Sequence, residues 1–366
     1  MGDYEDIARF SKNGKGKVAN SKPPNKPLMP IKSIQMDLFS KFVTNDKNEV
    51  SNTIELWERI PKYFPIRTLD KMQQAPPYEW EYVEGGDTFM VVVQPASIKV
   101  DGVYKSFFPS VSEELIEEAL KKILADQNHA IHDPEKYITW VTYSLNMLYR
   151  ELKDKGCTRS FSEIRHSLYV MSKCNISFLK NGEEIWNGAL LQEPVSVRRK
   201  DYLANPDALF SARLPVFISY AINELAYRQF NYKRLMSCNS PLSRLIYKKL
   251  IHRYTQASLM NDYHFMYSDL KKCGLLQQTR ESDNRTKVLE ALNELVKRNV
   301  LSTFSHSDRK QGKKVLDVKY VLHPSSEFVK EQKASNLRTS ENKIAFGDKQ
   351  AAIVDKSATG TRFKPQ

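Results

Sequence analysis

Side chains able to read and hold a nucleic acid are concentrated between residues 285 and 314. One set has a spacing that places it on a single face of a helix: Arg285, Thr286, Lys287, Glu290, Asn293 and Lys297. A second set crowds a short connection: Arg309, Lys310, Lys313 and Lys314. Asn, Thr, Glu and Lys can hydrogen-bond to base edges, whereas Arg and Lys also neutralise phosphates. The two sets together predict DNA contact, and the alternative is an ordinary charged, solvated surface.

The elements that must position these side chains follow one another without a gap. A short helix at 268–274 precedes a longer one, which Ser282 or Asp283 can cap. The longer helix has an apolar face made by Val288, Leu289, Leu292, Leu295 and Val296. Apolar runs at 300–304 and 315–322 come next, joined by the basic connection. This order of helix, helix, strand, basic turn and strand predicts a winged helix, whose longer helix fits the major groove.

The charge of the chain agrees with a polyanionic partner. The formal net charge is +13, and residues 216–330 hold 20 Lys and Arg against 10 Asp and Glu. Most of the positive excess therefore surrounds the predicted winged helix, where it attracts phosphate. RNA or an anionic membrane could be attracted equally, but no apolar run is long enough to cross a bilayer and no apolar signal core begins the chain. These features predict a soluble, cytoplasmic protein.

A related unit is predicted upstream. An apolar run at 88–94 and a hairpin at 97–107 lead into helices expected at 113–125 and 135–155. Ser160 and Glu163 have the spacing of a capping box and begin a third helix, after which a hairpin follows. Basic side chains here are candidates for contact with the DNA backbone, and the alternative is solvated surface. They are Arg165, His166, Lys173, Arg198 and Arg199.

A short internal likeness links the two units. Residues 173–176, Lys-Cys-Asn-Ile, close the third helix as residues 297–300, Lys-Arg-Asn-Val, close the later one. With the shared order of elements, this favours an α+β fold of two tandem winged helices. Helices are expected between them at 217–230 and 241–257. The second of these has outward cations at Arg244, Lys248, Lys249 and Arg253.

The two ends of the chain differ from its middle. They are polar, lack apolar periodicity and cannot bury enough surface to offset the entropy lost on ordering. Folded structure is therefore expected to begin after Val50 and to stop near Phe328. The predicted organisation is a flexible tail 1–34, a lead-in 35–80, a first winged helix 81–215, a second 216–330 and a flexible tail 331–366.

The chain resembles the replication initiator (Rep) proteins of iteron-carrying bacterial plasmids. The resemblance spans roughly residues 36–325 and is best at 230–234, Phe-Asn-Tyr-Lys-Arg, and at 243–250, Ser-Arg-Leu-Ile-Tyr-Lys-Lys-Leu. Residues 53–57 and 94–98 also resemble stretches of one branch of such initiators. The resemblance implies binding to short repeats in a plasmid origin, duplex opening, and recruitment of a host initiator and the replicative helicase. It also implies an inactive homodimer, formed through the first domain, and an active monomer.

A pentapeptide near the N-terminus resembles the motif by which bacterial replication proteins hold the sliding clamp. It consists of Gln35, Met36, Asp37, Leu38 and Phe39. An exposed peptide of this kind can place Leu38 and Phe39 in an apolar pocket of a partner. The alternative is that the same apolar side chains form one face of a helix on the first domain.

Enzymatic chemistry is not indicated. The chain has no Gly-x-x-x-x-Gly-Lys-Ser/Thr loop for nucleotide phosphates, which argues against an ATPase, and no cofactor is expected. His129 and His132 lack a third metal ligand nearby, so neither a metal site nor a nicking endonuclease is favoured. The four cysteines are widely spaced and are interpreted as structural thiols. A winged-helix transcriptional repressor is the main alternative to an initiator.

Overall fold

The computed structural model describes residues 33–42, 49–64, 75–125, 127–196 and 205–359 of an α+β protein. Its first elements belong to the lead-in. They are α1 (Ile34–Ser40), β1 (Val50–Thr53) and α2 (Glu55–Glu58). Ser33 caps α1 by accepting a hydrogen bond from the Met36 amide at 3.0 Å. Ordered structure therefore begins well before Val50, where it was expected to start. The tail before residue 33 lies outside the described residues.

In the described residues, the first unit combines three sheets with three α-helices. Its elements are β2 (Tyr78–Glu84), β3 (Asp87–Gln94), β4 (Ala96–Val100), β5 (Val103–Phe107), α3 (Val111–Leu124), β6 (Ala130–Asp133), β7 (Ile138–Tyr143), α4 (Leu145–Asp154), α5 (Phe161–Lys173), β8 (Asn175–Lys180), β9 (Glu183–Gly188), β10 (Gln192–Ser196) and β11 (Phe210–Arg213). The sheets have the orders β2-β3-β8-β9, β10-β11-β7-β6 and β4-β5. The succession of α4, α5 and the β8-β9 hairpin agrees with the predicted helix, helix and hairpin.

The prediction of a long helix at 135–155 is wrong for its first half. Residues 138–143 form β7, in which alternate side chains are buried, and helix starts only at Leu145. Ile, Thr, Val and aromatic residues favour a strand, and Thr139, Val141 and Tyr143 show its period of two. Helical periodicity does hold for Leu145, Leu148 and Leu152, all of which are buried.

The second unit follows with a different sheet. Its elements are α6 (Val216–Asn223), β12 (Arg228–Asn231), α7 (Tyr232–Ser237), α8 (Pro241–Arg253), β13 (Tyr263–Met266), α9 (Tyr267–Lys271), α10 (Glu281–Lys297), β14 (Leu301–Gln311), β15 (Lys314–Pro324) and α11 (Ser326–Thr359). From α8 to β15 the order is helix, strand, helix, helix and hairpin, and the sheet order is β13-β15-β14. This is the topology of a winged helix.

One helix expected between the units is shorter than predicted. Residues 217–230 do not form a single helix, because α6 ends at Asn223 and Leu225 adopts a left-handed φ of +52°. The chain then enters β12, which pairs antiparallel with β1, so that Thr53 lies opposite Arg228. A strand of the lead-in and a strand of the second unit thus share one ribbon. The unit boundaries proposed from the sequence stay a prediction.

The prediction of a flexible C-terminal tail is also wrong for most of that segment, because residues 326–359 form α11. Its first turn buries Phe328 and Val329, but the buried side chains between residues 330 and 348 are polar, namely Gln332, Ser335, Arg338 and Asn342. A search for apolar periodicity overlooks such a face. Arg228 donates hydrogen bonds to Gln332 at 3.1 Å and to Asn336 at 2.5 Å, which ties α11 to the β1-β12 ribbon.

Candidate nucleic-acid interface

Helix α10 presents the face that the sequence predicted. Val288, Ala291, Leu292 and Leu295 are buried against the rest of the second unit. Thr286, Glu290, Asn293 and Lys297 are exposed, and Arg285 and Lys287 are half-buried. The six candidate side chains therefore lie away from the core, with polar groups able to approach base edges. The Thr286 hydroxyl already donates to the Ser282 carbonyl oxygen at 3.0 Å, which leaves its acceptor side for another partner.

The start of α10 differs from the prediction. The helix begins at Glu281, and neither Ser282 nor Asp283 is its cap. The preceding loop is held instead by Asn284, which is 1% exposed. Its side chain accepts from the Gln278 amide at 2.8 Å and donates to the Gln278 carbonyl oxygen at 3.1 Å. A buried amide therefore fixes the turn that leads into the first exposed residues of α10.

The basic hairpin projects beyond its sheet. Strand β13 pairs only with residues 319–322 of β15. Nearer the turn, β14 and β15 therefore pair only with each other. The projecting part, about five residues per strand, is roughly 15 Å long. Gly312 and Lys313 form the turn, and Gly312 has a φ of +59° that favours glycine there.

The cations of the hairpin are exposed, but three of them lie in strands and not in the predicted turn. Arg309 and Lys310 belong to β14, Lys314 begins β15, and only Lys313 is a turn residue. The Lys310 ammonium lies 3.3 Å from an Asp308 carboxylate oxygen. Because side chains alternate along a strand, these charges lie on both faces of the hairpin. Cations in this arrangement could bind phosphates of a nucleic-acid backbone.

A carboxylate braces the hairpin against the short helix α9. Asp317 accepts hydrogen bonds from the Ser268 amide at 3.1 Å and from the Ser268 hydroxyl at 2.7 Å. Glu281, the first residue of α10, accepts from Lys271 and from the Tyr267 hydroxyl, both in α9. The hydrogen bond from Lys271 holds the pKa of Glu281 below its ordinary value. Helix α9 thus ties α10 to the hairpin.

A third carboxylate, which the sequence did not predict, orients α10 against α8. Glu294 accepts from the backbone amides of Asn239 and Ser240 at 2.7 and 3.1 Å, and from the Ser243 hydroxyl at 2.6 Å. Burial opposes ionisation of Glu294, but these hydrogen bonds outweigh it and lower its pKa. A carboxylate that caps another helix cannot be recognised without knowing which helix lies beside it.

Two cations predicted to point outward from α8 are buried instead. Arg244 is 1% exposed and pairs with Glu114, and Lys248 is 4% exposed and pairs with Glu58 and Glu118. Their charges are therefore neutralised within the protein and add little to the field that DNA would meet. Lys249 is half-buried, whereas Arg253 is exposed as predicted and pairs with Glu55 at 2.7 Å.

Among the described residues, the candidate side chains of the first unit do not form one exposed set. Lys173, at the end of α5, is exposed. Arg165 is half-buried, and the His166 ring contacts Phe107 edge-on with a centroid distance of 4.7 Å. His166 therefore packs against the β4-β5 hairpin through Phe107. Arg198 and Arg199 lie outside the described residues.

The clamp-like pentapeptide is not an exposed peptide, and that expectation is wrong. It lies in α1, where Met36, Leu38 and Phe39 are buried and Gln35 and Asp37 are half-buried. The Phe39 ring packs against Tyr227 with a centroid distance of 5.0 Å. The alternative is correct in that the segment is an amphipathic helix whose apolar side chains lie in this protein's core, but Phe39 packs on Tyr227 of the second unit, whereas the helix was expected on the first domain.

Three of the histidine and cysteine side chains that were considered for chemistry, those of His132, Cys174 and Cys238, are buried. His132 is buried, with Nδ1 2.9 Å from the Thr139 hydroxyl and Nε2 2.7 Å from the Asn223 amide oxygen. Burial raises the pKa of the Cys174 and Cys238 thiols to about 12. Among the described residues, no group of three His, Cys, Asp or Glu side chains could hold a metal ion. Within the same residues, no helix is both long and apolar enough to cross a membrane.

Comparisons with known proteins find likeness only among solved structures. No family model matches the chain, and no curated protein matches it. Two structures of domains 2 and 3 of RctB are similar, with 12% and 11% identity and TM-scores of 0.43 and 0.44. They cover 70% and 74% of this chain and 96% and 98% of their own chains.

A third similar structure is that of the Pi initiator protein in complex with iteron DNA. Its identity is 11%, its TM-score is 0.35, and it covers 59% of this chain and 91% of its own. TM-scores below 0.5 do not establish a family for the chain. Its function therefore has to be argued from its own residues.

Proposed function

We propose that this chain is a plasmid replication initiator that binds repeated sequences, or iterons, in the origin. The observation that carries the DNA-binding part is the arrangement of α10 beside the projecting basic hairpin. Exposed polar side chains and exposed cations lie on neighbouring elements, and carboxylates at 281, 294 and 317 hold those elements in place. Such rigid support is what a base-reading helix requires, since direct readout depends on hydrogen-bond geometry.

The two element types have separate roles in this proposal. Thr286, Lys287, Glu290 and Asn293 read base edges in the major groove, while Arg285 holds a phosphate. The hairpin cations bind the backbone beside that groove without reading sequence. They are Arg309, Lys310, Lys313 and Lys314. Lys297, which is exposed at the far end of α10, contributes a further phosphate contact in this proposal.

The replication part of the proposal is supported by the sequence resemblance to Rep proteins. The segments that carry it best, 230–234 and 243–250, fall in β12, α7 and α8, where the two units meet. By that resemblance the bound protein opens the duplex and recruits a host initiator and the replicative helicase. The same resemblance supports a homodimer held through the first unit. Clamp binding through residues 35–39 is not proposed, because the apolar side chains it needs are buried.

Capture of DNA by the full chain tests the proposal. Purified protein is mixed with fragments of the genome or plasmid that carries its gene, and the retained fragments are sequenced. We expect short direct repeats to be enriched. A plasmid whose only origin is the retained segment should then replicate when the protein is supplied in trans.

The outcomes separate the competing functions. Repeats that bind but do not support replication would indicate a repressor. A covalent protein-DNA adduct with strand cleavage would indicate a nicking endonuclease. Retention without any preference for sequence would overturn the base-reading role of α10.

A further inference from the structure

A cluster of eight charged side chains lies at the junction of the two units. It contains as many carboxylates as cations, and its members are buried or nearly so: Glu58, Glu114, Glu117, Glu118, Lys62, Lys121, Arg244 and Lys248. We call this set the junction cluster. Its residues come from the lead-in, from α3 of the first unit and from α8 of the second. The set is therefore neutral as a whole and includes side chains of the lead-in and of both units.

Helices α3 and α8 face each other through matched spacings. The carboxylates at 114 and 118 and the cations at 244 and 248 are each four residues apart, which places each pair on one helix face. Arg244 donates to both oxygens of Glu114, at 3.1 and 2.7 Å, and Lys248 lies 2.6 Å from Glu118. Because Glu114 pairs with Arg244 and Glu118 pairs with Lys248, the two helices run in the same direction at this contact. A shift of one helix by a turn would leave charges unpaired.

The remaining members close the cluster. Lys121 lies 2.6 Å from both Glu58 and Glu118, and Lys248 lies 2.8 Å from Glu58. Glu117 accepts hydrogen bonds from the Trp57 indole and the Tyr63 hydroxyl. A buried ion pair stabilises only when its geometry is good, and losing one partner leaves an unpaired buried charge. The cluster therefore penalises any other relative orientation of the two units.

A second contact joins the first unit to the loop between α9 and α10. The Trp80 indole donates to the Lys272 carbonyl oxygen at 3.1 Å, and the Gln277 amide donates to the Tyr78 hydroxyl at 2.6 Å. The Phe64 ring lies 2.5 Å from where a Cβ on Gly274 would be. This loop leads directly into α10, so the first unit touches the segment that sets the start of the recognition helix.

We infer that the junction cluster, with Arg244 and Lys248 as positioning residues, fixes the angle between α10 and the first unit and so determines the spacing of the two duplex segments that one molecule can contact. This inference rests on the proposed function and extends it by a contact between the first unit and the duplex. The first unit then acts as a rigid arm, and the protein discriminates among duplexes by the distance between contacts as well as by base sequence. A flexible junction would accept several spacings with similar affinity.

The angle itself is measured without DNA. Spin labels are attached through an unnatural amino acid at Lys136 in the first unit and at Met260 in the second, both of which are exposed, so that the native cysteines are untouched. We expect one narrow distance distribution for the otherwise native protein and a broad one for Arg244→Met, which leaves Glu114 buried and unpaired. The matched control is Arg253→Met on the same helix, which breaks an ion pair whose side chains are 47% and 39% exposed. It should leave the distribution narrow.

A second variant guards against simple unfolding. Glu118→Gln has nearly the same shape and removes one buried charge, and circular dichroism confirms that the helices remain. Replacing the Arg244-Glu114 pair by Met and Leu removes the unpaired charge and should narrow the distribution again, since apolar pairs of similar volume can replace buried ion pairs. A distribution that stays narrow in Arg244→Met and in Glu118→Gln overturns the inference.

The DNA arm uses the retained repeat with two or five base pairs inserted between the segments that a footprint of the full chain protects. We expect the insertions to weaken binding of the native protein tenfold or more. Arg244→Met should bind the unaltered site less tightly but lose less than twofold on insertion. Native binding that ignores the insertions overturns the inference. Absence of any sequence-specific binding would instead refute the proposed function, while the distance measurement still decides the role of the cluster.

Discussion

Arg338 donates a hydrogen bond to the Phe39 carbonyl oxygen at 3.0 Å, across 299 residues of chain. The same guanidinium donates to the Leu38 carbonyl oxygen at 3.1 Å and to the Asn52 side chain at 2.5 Å, and it lies over the Phe42 and Tyr227 rings. Burial lowers the pKa of Arg338 to about 10. The segment around Leu38 and Phe39, expected to be exposed, and the C-terminal segment, expected to be flexible, therefore stabilise each other.

Replacing Arg338 by Met should destabilise the protein by about 1–3 kcal/mol, because buried carbonyl groups would lose their donor. Urea unfolding measures this difference. The matched control is Leu337→Ala, the neighbouring position on α11, whose side chain is 53% exposed. That change should cost well under 1 kcal/mol, as surface substitutions usually do. Equal effects of the two changes would show that α11 contributes no specific contact through Arg338.

Replacing Asn293 or Glu290 by Ala should change the sequence preference of the protein at one base pair. The expected loss of discrimination there is about 1–3 kcal/mol, the value of a good side-chain contact with a base edge. Binding to a library of single-base variants of the retained repeat measures it. Glu341→Ala on the exposed side of α11 serves as the control. If specificity survives every change on the α10 face, the assignment of α10 as the reader is wrong.

Replacing Lys313 or Lys314 by Ala should weaken binding to all sequences alike. Each lost phosphate contact should reduce the slope of log affinity against log salt by about one unit, because fewer counterions are released. Titrations at several salt concentrations give the slope. Lys136→Ala, an exposed change in the first unit, should leave it unaltered. A change in base preference with no change in slope would contradict the assigned role.

Replacing Gly274 by Ala should destabilise the protein more than the same change at Gly182. Both glycines have a left-handed φ, +73° and +83°, so each change costs about 1–2 kcal/mol in the backbone. Only at Gly274 would the new methyl group meet Phe64, which adds roughly 1–3 kcal/mol of overpacking. No heavy atom lies within 4 Å of a Cβ at Gly182. Equal losses in denaturant unfolding would mean that the Phe64 contact does not constrain the loop.

His252 should make stability depend on pH below neutrality. Burial lowers its pKa from 6.5 to about 3, and its Nε2 lies 3.3 Å from the Thr53 hydroxyl. Between these values the unfolded chain binds a proton that the folded protein does not, so stability falls as pH falls from 6.5. The contribution is about 1.4 kcal/mol per pH unit.

His252→Gln should remove that part of the slope when unfolding free energies are compared between pH 6.5 and 5. His132, whose pKa burial also lowers, keeps some pH dependence in the variant. His306→Gln in the exposed hairpin is the control and should keep the native slope. A slope that is identical in native protein and His252→Gln would contradict this account.

The sequence alone determined the local features that depend on near neighbours. The apolar face of α10, the capping box at Ser160 and Glu163, and the exposed cations around the hairpin turn follow from spacing and residue type. These patterns are short-range, so a helix or hairpin shows them whatever it packs against. They were enough to predict the α+β class and the candidate interface.

Tertiary structure decided which polar side chains are surface and which are interior. Arg244 and Lys248 look like a solvated basic face until α3 supplies Glu114 and Glu118, more than a hundred residues away. Leu38 and Phe39 look like an exposed binding peptide until Arg338 and Tyr227 cover them. A charged side chain is stable in the interior only when an opposite charge pairs with it. Here that partner lies far away in the sequence, so the local pattern does not predict the pair.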